Sequence, residues 1–497
     1  MTHRREFVYL SVIFLLGLTL RLVSLCSESI WLDEAFSIDM AKNSVAAIWR
    51  GDVLDPGNPP LYYILLHYWM DFFGPTIESA RAFSGVAGAL GIVATWLLAK
   101  ACGCAPSVRL LASLLVAVSP SLIYLSRETR VYTLFALVVM LAAAAAEVIV
   151  RNGGRLDRQT IPAWIAFTVL GASFSYLHYY SFLLLAVFGL YLFFRLSFDG
   201  WKPLATLMIS YAVIVAAFLP WLSLFRTQIG YGTTRGGSTW IMHLAVAPLY
   251  SLAGHTLVWK ENGMAIVALL SGVALLAVYL PTLYWAIREE RLPLLPIFLP
   301  VGLIAVAILI SVTKSPMLQS RYLSVIFPCL MIIIAAGLVS GFKRFPNGAL
   351  FASLVLFGLM GTSLVRLYAQ SHKEDWRPIA SYVKRTNSSL PVYCYEDVAR
   401  LSFNYYAPDI KVHPIDPVAV PFAPQGEPWQ TSGLLGQMNG DKEGFWFILY
   451  LSLPETMPHL DEINDWLREH FEVKSEFGDS LKDPVFPLIH VYELKPR

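Results

Sequence analysis

FVYLSVIFLLGLTLRLVSL, residues 7–25, runs directly into CSESIWLDEAFS, residues 26–37, and this junction decides the fold. An apolar run of that length is enough to cross a hydrocarbon layer of about 30 Å as a helix. It is long for the core of a signal peptide, and no small-x-small cleavage site follows, so it reads as an uncleaved anchor. Asp33 and Glu34 then stand side by side between Trp31 and Phe36, where the chain leaves the membrane. Half-desolvated carboxylates are costly unless paired or used. The ordinary alternative is a helix start with Ser29 as N-cap and both acids in the first turn.

Composition extends the membrane reading to most of the chain. Of 497 residues 56% are hydrophobic and 14% charged, with a mean hydropathy of +0.57, against roughly 45–50% and 25% in ordinary globular proteins. A net charge of +2 excludes an electrostatic polyanion binder, 24 Tyr, 29 Phe and 14 Trp exclude disorder, and five Cys exclude a disulfide scaffold. The charge is unevenly spread. Residues 370–497 hold 12 basic and 19 acidic residues, a net −7, whereas the first 369 hold 25 and 16, a net +9. We therefore expect a membrane domain over 1–369 and a soluble, acidic domain over 370–497.

Apolar runs at 7–25, 80–99, 110–125, 131–150, 161–177, 180–194, 204–221, 264–287, 294–312, 322–342 and 348–365 predict about eleven spans in a mainly α, polytopic protein. With the amino terminus inside, the inner connections carry Arg4 and Arg5, Lys100 and Arg109, Arg151, Arg155 and Arg158, Arg195 and Lys202, Arg288 and Arg291, and Lys343 and Arg344. This is the positive-inside pattern, and an odd number of spans leaves the acidic tail outside. Two outer loops are long, 26–79 and 222–263. Within the first, PLYYILLHYWMDFF at 60–73 is short for a span and reads as an interfacial helix.

The spans are nearly free of Asp, Glu and Lys, and no half-to-half repeat is visible, which argues against a carrier with a polar midplane. Polar groups gather at outer helix ends instead. Tyr124–Tyr132 (YLSRETRVY) sets Arg127 and Arg130 around Glu128, and 314–322 (KSPMLQSRY) carries Lys314 and Arg321. Arginines there could snorkel to headgroups, or together bind a lipid phosphate. A flippase for a lipid-linked sugar shares these basic clusters but needs a continuous polar path through the spans, and a non-enzymatic envelope scaffold is a third alternative.

WLDEAFS after the first run, NPPLYYILLHYW in the first loop, SRETRVY at the next outer hairpin and SRYL opening a late span resemble the C-type membrane glycosyltransferases. The likeness is to the bacterial branch related to protein O-mannosyltransferases and to the transferase that adds aminoarabinose to lipid A, and it covers roughly the first 340 residues. It implies transfer of a sugar, with inversion, from a polyprenyl-phosphate donor to an acceptor hydroxyl of a glycolipid, glycan or protein. The reaction would take place on the periplasmic face of a bacterial inner membrane, with no nucleic acid partner. It also implies that Asp33 is the general base, that Glu34 orients Asp33 or the acceptor, and that Glu128 lies near the reaction centre. Arg127, Arg130 and Arg321 would stabilise the departing phosphate, with Tyr132 and Tyr322 as helpers, Lys314 as a further cation and Asn58 at the substrate.

One departure stands out. Relatives carry His-Pro-Pro or Glu-Lys-Pro-Pro where this chain has Gly57-Asn58-Pro59-Pro60, so the glutamate on which a metal would rest is missing. The reading assigns no cofactor. A divalent metal would have to draw on Asp55, His67, His243 and His255, and lone histidines near a membrane surface more often serve structure. In the tail, short apolar strands alternate with amphipathic helices, among them DEINDWLREHF at 461–471. They predict a small α/β domain with a partly parallel sheet and a long loop over 414–440 that covers the site or binds the acceptor.

Overall fold

The computed structural model describes residues 2–53, 55, 57–232, 240–257, 264–288, 294–313, 318–387, 389–395, 399–414, 443–451, 465, 467–478 and 488–496. The chain divides into two compact units, one of Met1–Leu25 with Met40–Gln370, the other of Cys26–Asp39 with Ser371–Arg497. The expected first domain is therefore interrupted, because the stretch carrying Asp33 and Glu34 belongs with the C-terminal residues.

In the first unit each of the eleven apolar runs coincides, within a few residues, with helix. Among the described residues eight helices have the length and composition to cross a membrane, and a ninth does if the bent pair Pro106–Val118 and Pro120–Ser126 is one span. The other two runs do not qualify on those criteria: Ile161–Ser175 has 15 residues, and His3–Leu22 carries Arg4, Arg5, Glu6 and Arg21. The segment read as a loop from residue 222 is in part helical. After the turn at Leu219–Trp221 the chain continues as Leu222–Gly232, so that Trp201–Gln228 forms one apolar stretch, and Trp240–Ala253 is a further helix. Pro220 does not stop it, since a proline in the first turn of a helix removes an N–H that has no intrahelical partner.

Small residues let the helices approach closely. Ala142, Ala143 and Ala146 of Tyr132–Arg151 are sealed against their neighbours, as are Ala87, Ala89 and Ala94 of Ile77–Ala101. The bend of 55° between Val118 and Pro120 has a local cause. Pro120 lacks an N–H, and the Ser119 hydroxyl accepts from the Leu122 N–H at 3.4 Å as an N-cap, restarting the helix in a new direction. The missing N–H deprives the Val116 carbonyl of its helical partner. Arg21, fully buried in His3–Leu22, fills the gap: it donates to the carbonyls of Val116 at 3.0 Å, Ala117 at 3.0 Å and Gly17 at 2.9 Å, and to Ser126 Oγ at 3.2 Å. An arginine in an apolar helix is thereby neutralised by dipoles rather than by a carboxylate.

The second unit is built on a five-stranded sheet in the order β2-β1-β3-β5-β4, with β1 Val392–Tyr395, β2 Val412–Pro414, β3 Phe445–Leu451, β4 Phe471–Gly478 and β5 Leu488–Pro496. β1 is parallel to both β2 and β3, while β5 is antiparallel to β3 and β4. Helix Trp376–Asn387 lays Trp376, Ile379, Ala380 and Val383 on the alternating inward residues Val392, Cys394, Trp446, Ile448 and Tyr450. Leu32 packs against the same core, which anchors the WLDEAFS stretch to this unit. The expected loop over 414–440 lies outside the described residues except for Pro414; of the helix expected at 461–471, residues 465 and 467–470 are helical, Phe471 already opens β4, and 461–464 and 466 lie outside the described residues.

Candidate functional site

In the second unit, Leu32–Lys42 is helical and Trp31, not Ser29, opens it: the Trp31 carbonyl accepts the Glu34 and Ala35 N–H groups at 3.1 and 3.0 Å. Ser29 is put to another use. Its hydroxyl donates to the Tyr406 hydroxyl at 3.1 Å and accepts the Trp376 N–H at 3.1 Å, while the Ile30 N–H donates to Tyr406 at 2.8 Å. Arg377 donates to the carbonyls of Cys26 and Ser27 at 3.2 and 2.8 Å. Backbone from before Asp33 is thus tied down by residues that follow the last apolar helix.

The two adjacent acids fare differently. Glu34 is wholly buried and accepts from Lys373 Nζ at 3.1 Å, with the lysine 2% exposed. Asp33 is half-buried, and its carbonyl accepts the Ser37 hydroxyl at 2.8 Å. A buried pair of this kind fixes Glu34 and leaves Asp33 as the more accessible acid. Lys373 and Tyr406 did not stand out in the sequence, where each is one of many polar residues in the acidic tail.

In the first unit, Arg127, Glu128 and Arg130 occupy the turn between Pro120–Ser126 and Tyr132–Arg151, and all three are buried. Arg127 donates to the Ser24 carbonyl at 2.8 Å and lies 4.8 Å over the Tyr368 ring. Ser24 has a φ of +56°, a strained conformation for a serine, which turns its carbonyl out of the helical direction. The Arg130 carbonyl accepts from Ser84 Oγ at 3.3 Å, and Thr133 Oγ1 donates to the Ser84 carbonyl at 3.1 Å. The turn is therefore clamped on both sides.

Arg321 and Tyr322, about 190 residues later, arrive at the same place. The Tyr132 and Tyr322 rings are 6.2 Å apart, His178 lies 4.9 Å from Tyr322 and 6.3 Å from Tyr132, and Tyr180 lies 5.2 Å from Tyr322. Arg321 stands 5.6 Å over Tyr322 and donates to Gln319 Oε1 at 3.3 Å. Burial, reinforced by the charges of Arg130 and Arg321, pushes the His178 imidazole down to about 3. Burial also raises the Tyr250 phenol, with Glu128 adding to the shift and Arg321 opposing it. Arg130, Glu128 and Arg321 thus share one electrostatic neighbourhood with a net positive formal charge.

Asn58 is held by a separate network. Its amide donates to Asp55 Oδ2 at 2.9 Å, the Tyr63 hydroxyl donates to the same carboxylate, and the Gln228 amide donates to the Asn58 carbonyl at 3.2 Å and to the Asp55 carbonyl. The Tyr63 phenol is raised by burial and by Asp55, and Arg130 opposes the shift, which brings the network within reach of the arginine turn. Of the histidines, His67 Nδ1 bonds the Ala41 carbonyl at 2.8 Å and Nε2 lies 3.3 Å from Asp71, and His243 Nδ1 bonds Ser320 Oγ at 3.1 Å. The His255 side chain and Lys314 lie outside the described residues. Among the described residues no three His, Cys, Asp or Glu side chains converge as a metal site.

No family model matches the chain and no curated protein matches its sequence. Its fold is that of known membrane structures. ArnT from Cupriavidus metallidurans in the apo state superposes with a TM-score of 0.55 at 13% identity, covering 98% of this chain and 97% of that one. The same protein bound to undecaprenyl phosphate gives 0.53 at 11%, covering 99% and 98%. An oligosaccharyltransferase from Archaeoglobus fulgidus tethered to an acceptor peptide gives 0.56 at 12%, covering 98% of this chain and 74% of that one. The chain therefore has the C-type glycosyltransferase fold over nearly its whole length.

Proposed function

We propose that the protein is an integral-membrane, inverting glycosyltransferase that moves a sugar from a polyprenyl-phosphate donor to an acceptor hydroxyl at the periplasmic face of a bacterial inner membrane. The observation that carries the reading is the meeting of Arg130, Tyr132, Arg321 and Tyr322, drawn from two distant turns, in one buried and positively charged neighbourhood. Support comes from the fold, shared with a protein whose structure holds undecaprenyl phosphate.

The chemistry follows from the groups. As the acceptor oxygen attacks the anomeric carbon, Asp33 takes its proton, and Glu34, locked by Lys373, keeps the Asp33 segment in register. The bond from the anomeric carbon to the phosphate oxygen breaks on the opposite side, and polyprenyl phosphate leaves with the electron pair. Guanidinium groups stabilise that developing charge better than water does, because the site is largely desolvated. No cofactor is assigned to the step. The acceptor is a glycolipid, a glycan or a protein.

The test is transfer by the purified protein in nanodiscs, supplied with an undecaprenyl-phosphate sugar and an envelope acceptor fraction. Asp33→Asn is expected to reduce transfer by about 10²–10⁴-fold while the protein stays folded and donor still binds. A fully active variant overturns the reading. Mass spectrometry of envelope glycolipids and glycoproteins from a deletion strain identifies the acceptor.

A further inference from the structure

His178 is absent from the sequence-derived set, yet it occupies the centre of the first unit's aromatic group. It sits in the turn between Ile161–Ser175 and Ser181–Leu196, ringed by Tyr132, Phe135, Tyr180 and Tyr322 at centroid distances of 6.3, 5.4, 5.5 and 4.9 Å. The residue is 5% exposed. Its Nδ1 accepts the Tyr180 N–H at 3.1 Å, so in the neutral ring the proton resides on Nε2, which is a donor. Among the described residues Nε2 has no hydrogen-bond partner, and it is not one of the polar atoms sealed from accessible space. A donor that is almost wholly buried is thus held open beside two guanidinium groups.

Resting on the reading above, we propose that His178 Nε2–H donates a hydrogen bond to a phosphate oxygen of the polyprenyl-phosphate group, as a third ligand beside Arg130 and Arg321. An ionised carboxylate in this position could only accept and would repel an anion's lone pairs, and a third cation would add desolvation cost beside two existing ones. A neutral imidazole of fixed tautomer supplies a directed donor without either penalty. Its low proton affinity agrees with this, since the ring stays neutral throughout the physiological range. Tyr180 has a positioning role: its backbone N–H sets the tautomer, and its ring, edge-on to Tyr322, fixes the tilt.

The experiment measures binding of undecaprenyl phosphate and of undecaprenol, the same chain without phosphate, to the full-length protein in nanodiscs. Wild type is expected to prefer the phosphate. His178→Phe, which keeps the ring packing and loses the donor, is expected to bind the phosphate about tenfold more weakly with its affinity for undecaprenol unchanged. His178→Gln, whose amide nitrogen reaches the place of Nε2, is expected to stay close to wild type, whereas the shorter His178→Asn is expected to resemble the phenylalanine variant. Wild-type affinity in His178→Phe overturns the proposal. So does equal weakening in the Gln and Asn variants, which assigns the residue to packing and decides the matter even if His178→Phe does not fold. A wild-type protein that does not distinguish phosphate from alcohol instead removes the functional reading itself.

Discussion

Residues 29–37 and 126–132 each set charged side chains beside an apolar run, two adjacent acids in the first and one acid between two arginines in the second, and the structure treats them in opposite ways. In the first, the inner acid has a buried lysine beside it: Glu34 accepts from Lys373, and the backbone before it is bound by Tyr406, Trp376 and Arg377. In the second, Arg127, Glu128 and Arg130 are buried together in one turn, and the charges of Arg130 and Arg321 add to the burial that pushes the neighbouring His178 imidazole down. A balanced pair fixes backbone, and an unbalanced cluster suits a mobile anion. On the function proposed above, the pair holds the segment that carries Asp33, and the arginine turn is the candidate anion site.

Breaking the balanced side should produce the largest effect. Lys373→Met leaves Glu34 buried without its lysine, and we expect the second unit to lose about 3–5 kcal/mol of stability, read from its denaturant midpoint. The double variant Glu34→Gln with Lys373→Met should recover much of that loss, since a neutral group needs less compensation. Equal instability of single and double variants would mean that the pair does not act as a pair. On the unbalanced side, Arg321→Ala should leave the thermal midpoint nearly unchanged and weaken donor binding roughly thirtyfold, about 2 kcal/mol; unchanged donor affinity would take Arg321 out of the phosphate site.

Much of the first unit was legible because an apolar run long enough to span a membrane needs no knowledge of its partners. Arg321 and Tyr322 stood out for a similar reason, as polar residues at the start of such a run. Lys373 was not, since it pairs with Glu34 across 339 positions of chain and a lysine in a charged tail carries no local mark. His178 was hidden in a turn that read only as an indistinct helix boundary. Asn58 was placed at the substrate by the family resemblance alone; the bond from its amide to Asp55 could not be read from the sequence. Arg21 passed for part of an anchor because three of its acceptors, Val116, Ala117 and Ser126, lie around the break at Pro120, far along the chain.

The smallest expected effect sharpens the unbalanced side through pH. The folded His178 takes up a proton only near 3, while an unfolded histidine does so near ~6.5. Between those values the unfolded chain binds the extra proton, so this residue's contribution to stability is complete above about 6.5 and is lost as pH falls toward 3. Wild type should therefore lose more thermal stability between pH 7 and pH 5 than His178→Gln does, and parallel losses would show that the imidazole is not held neutral.

The guanidinium of Arg21 has a consequence for biosynthesis. Its acceptors at Val116 and Ala117 are translated 95 and 96 residues after it, so the nascent first helix presents an unsated cation to the insertion machinery well before its partners emerge. So near the end of its helix, the charge is carried to the interface by its long stem in the meantime. The final burial of Arg21 therefore waits on the proline-broken hairpin, which supplies the carbonyls of Val116 and Ala117.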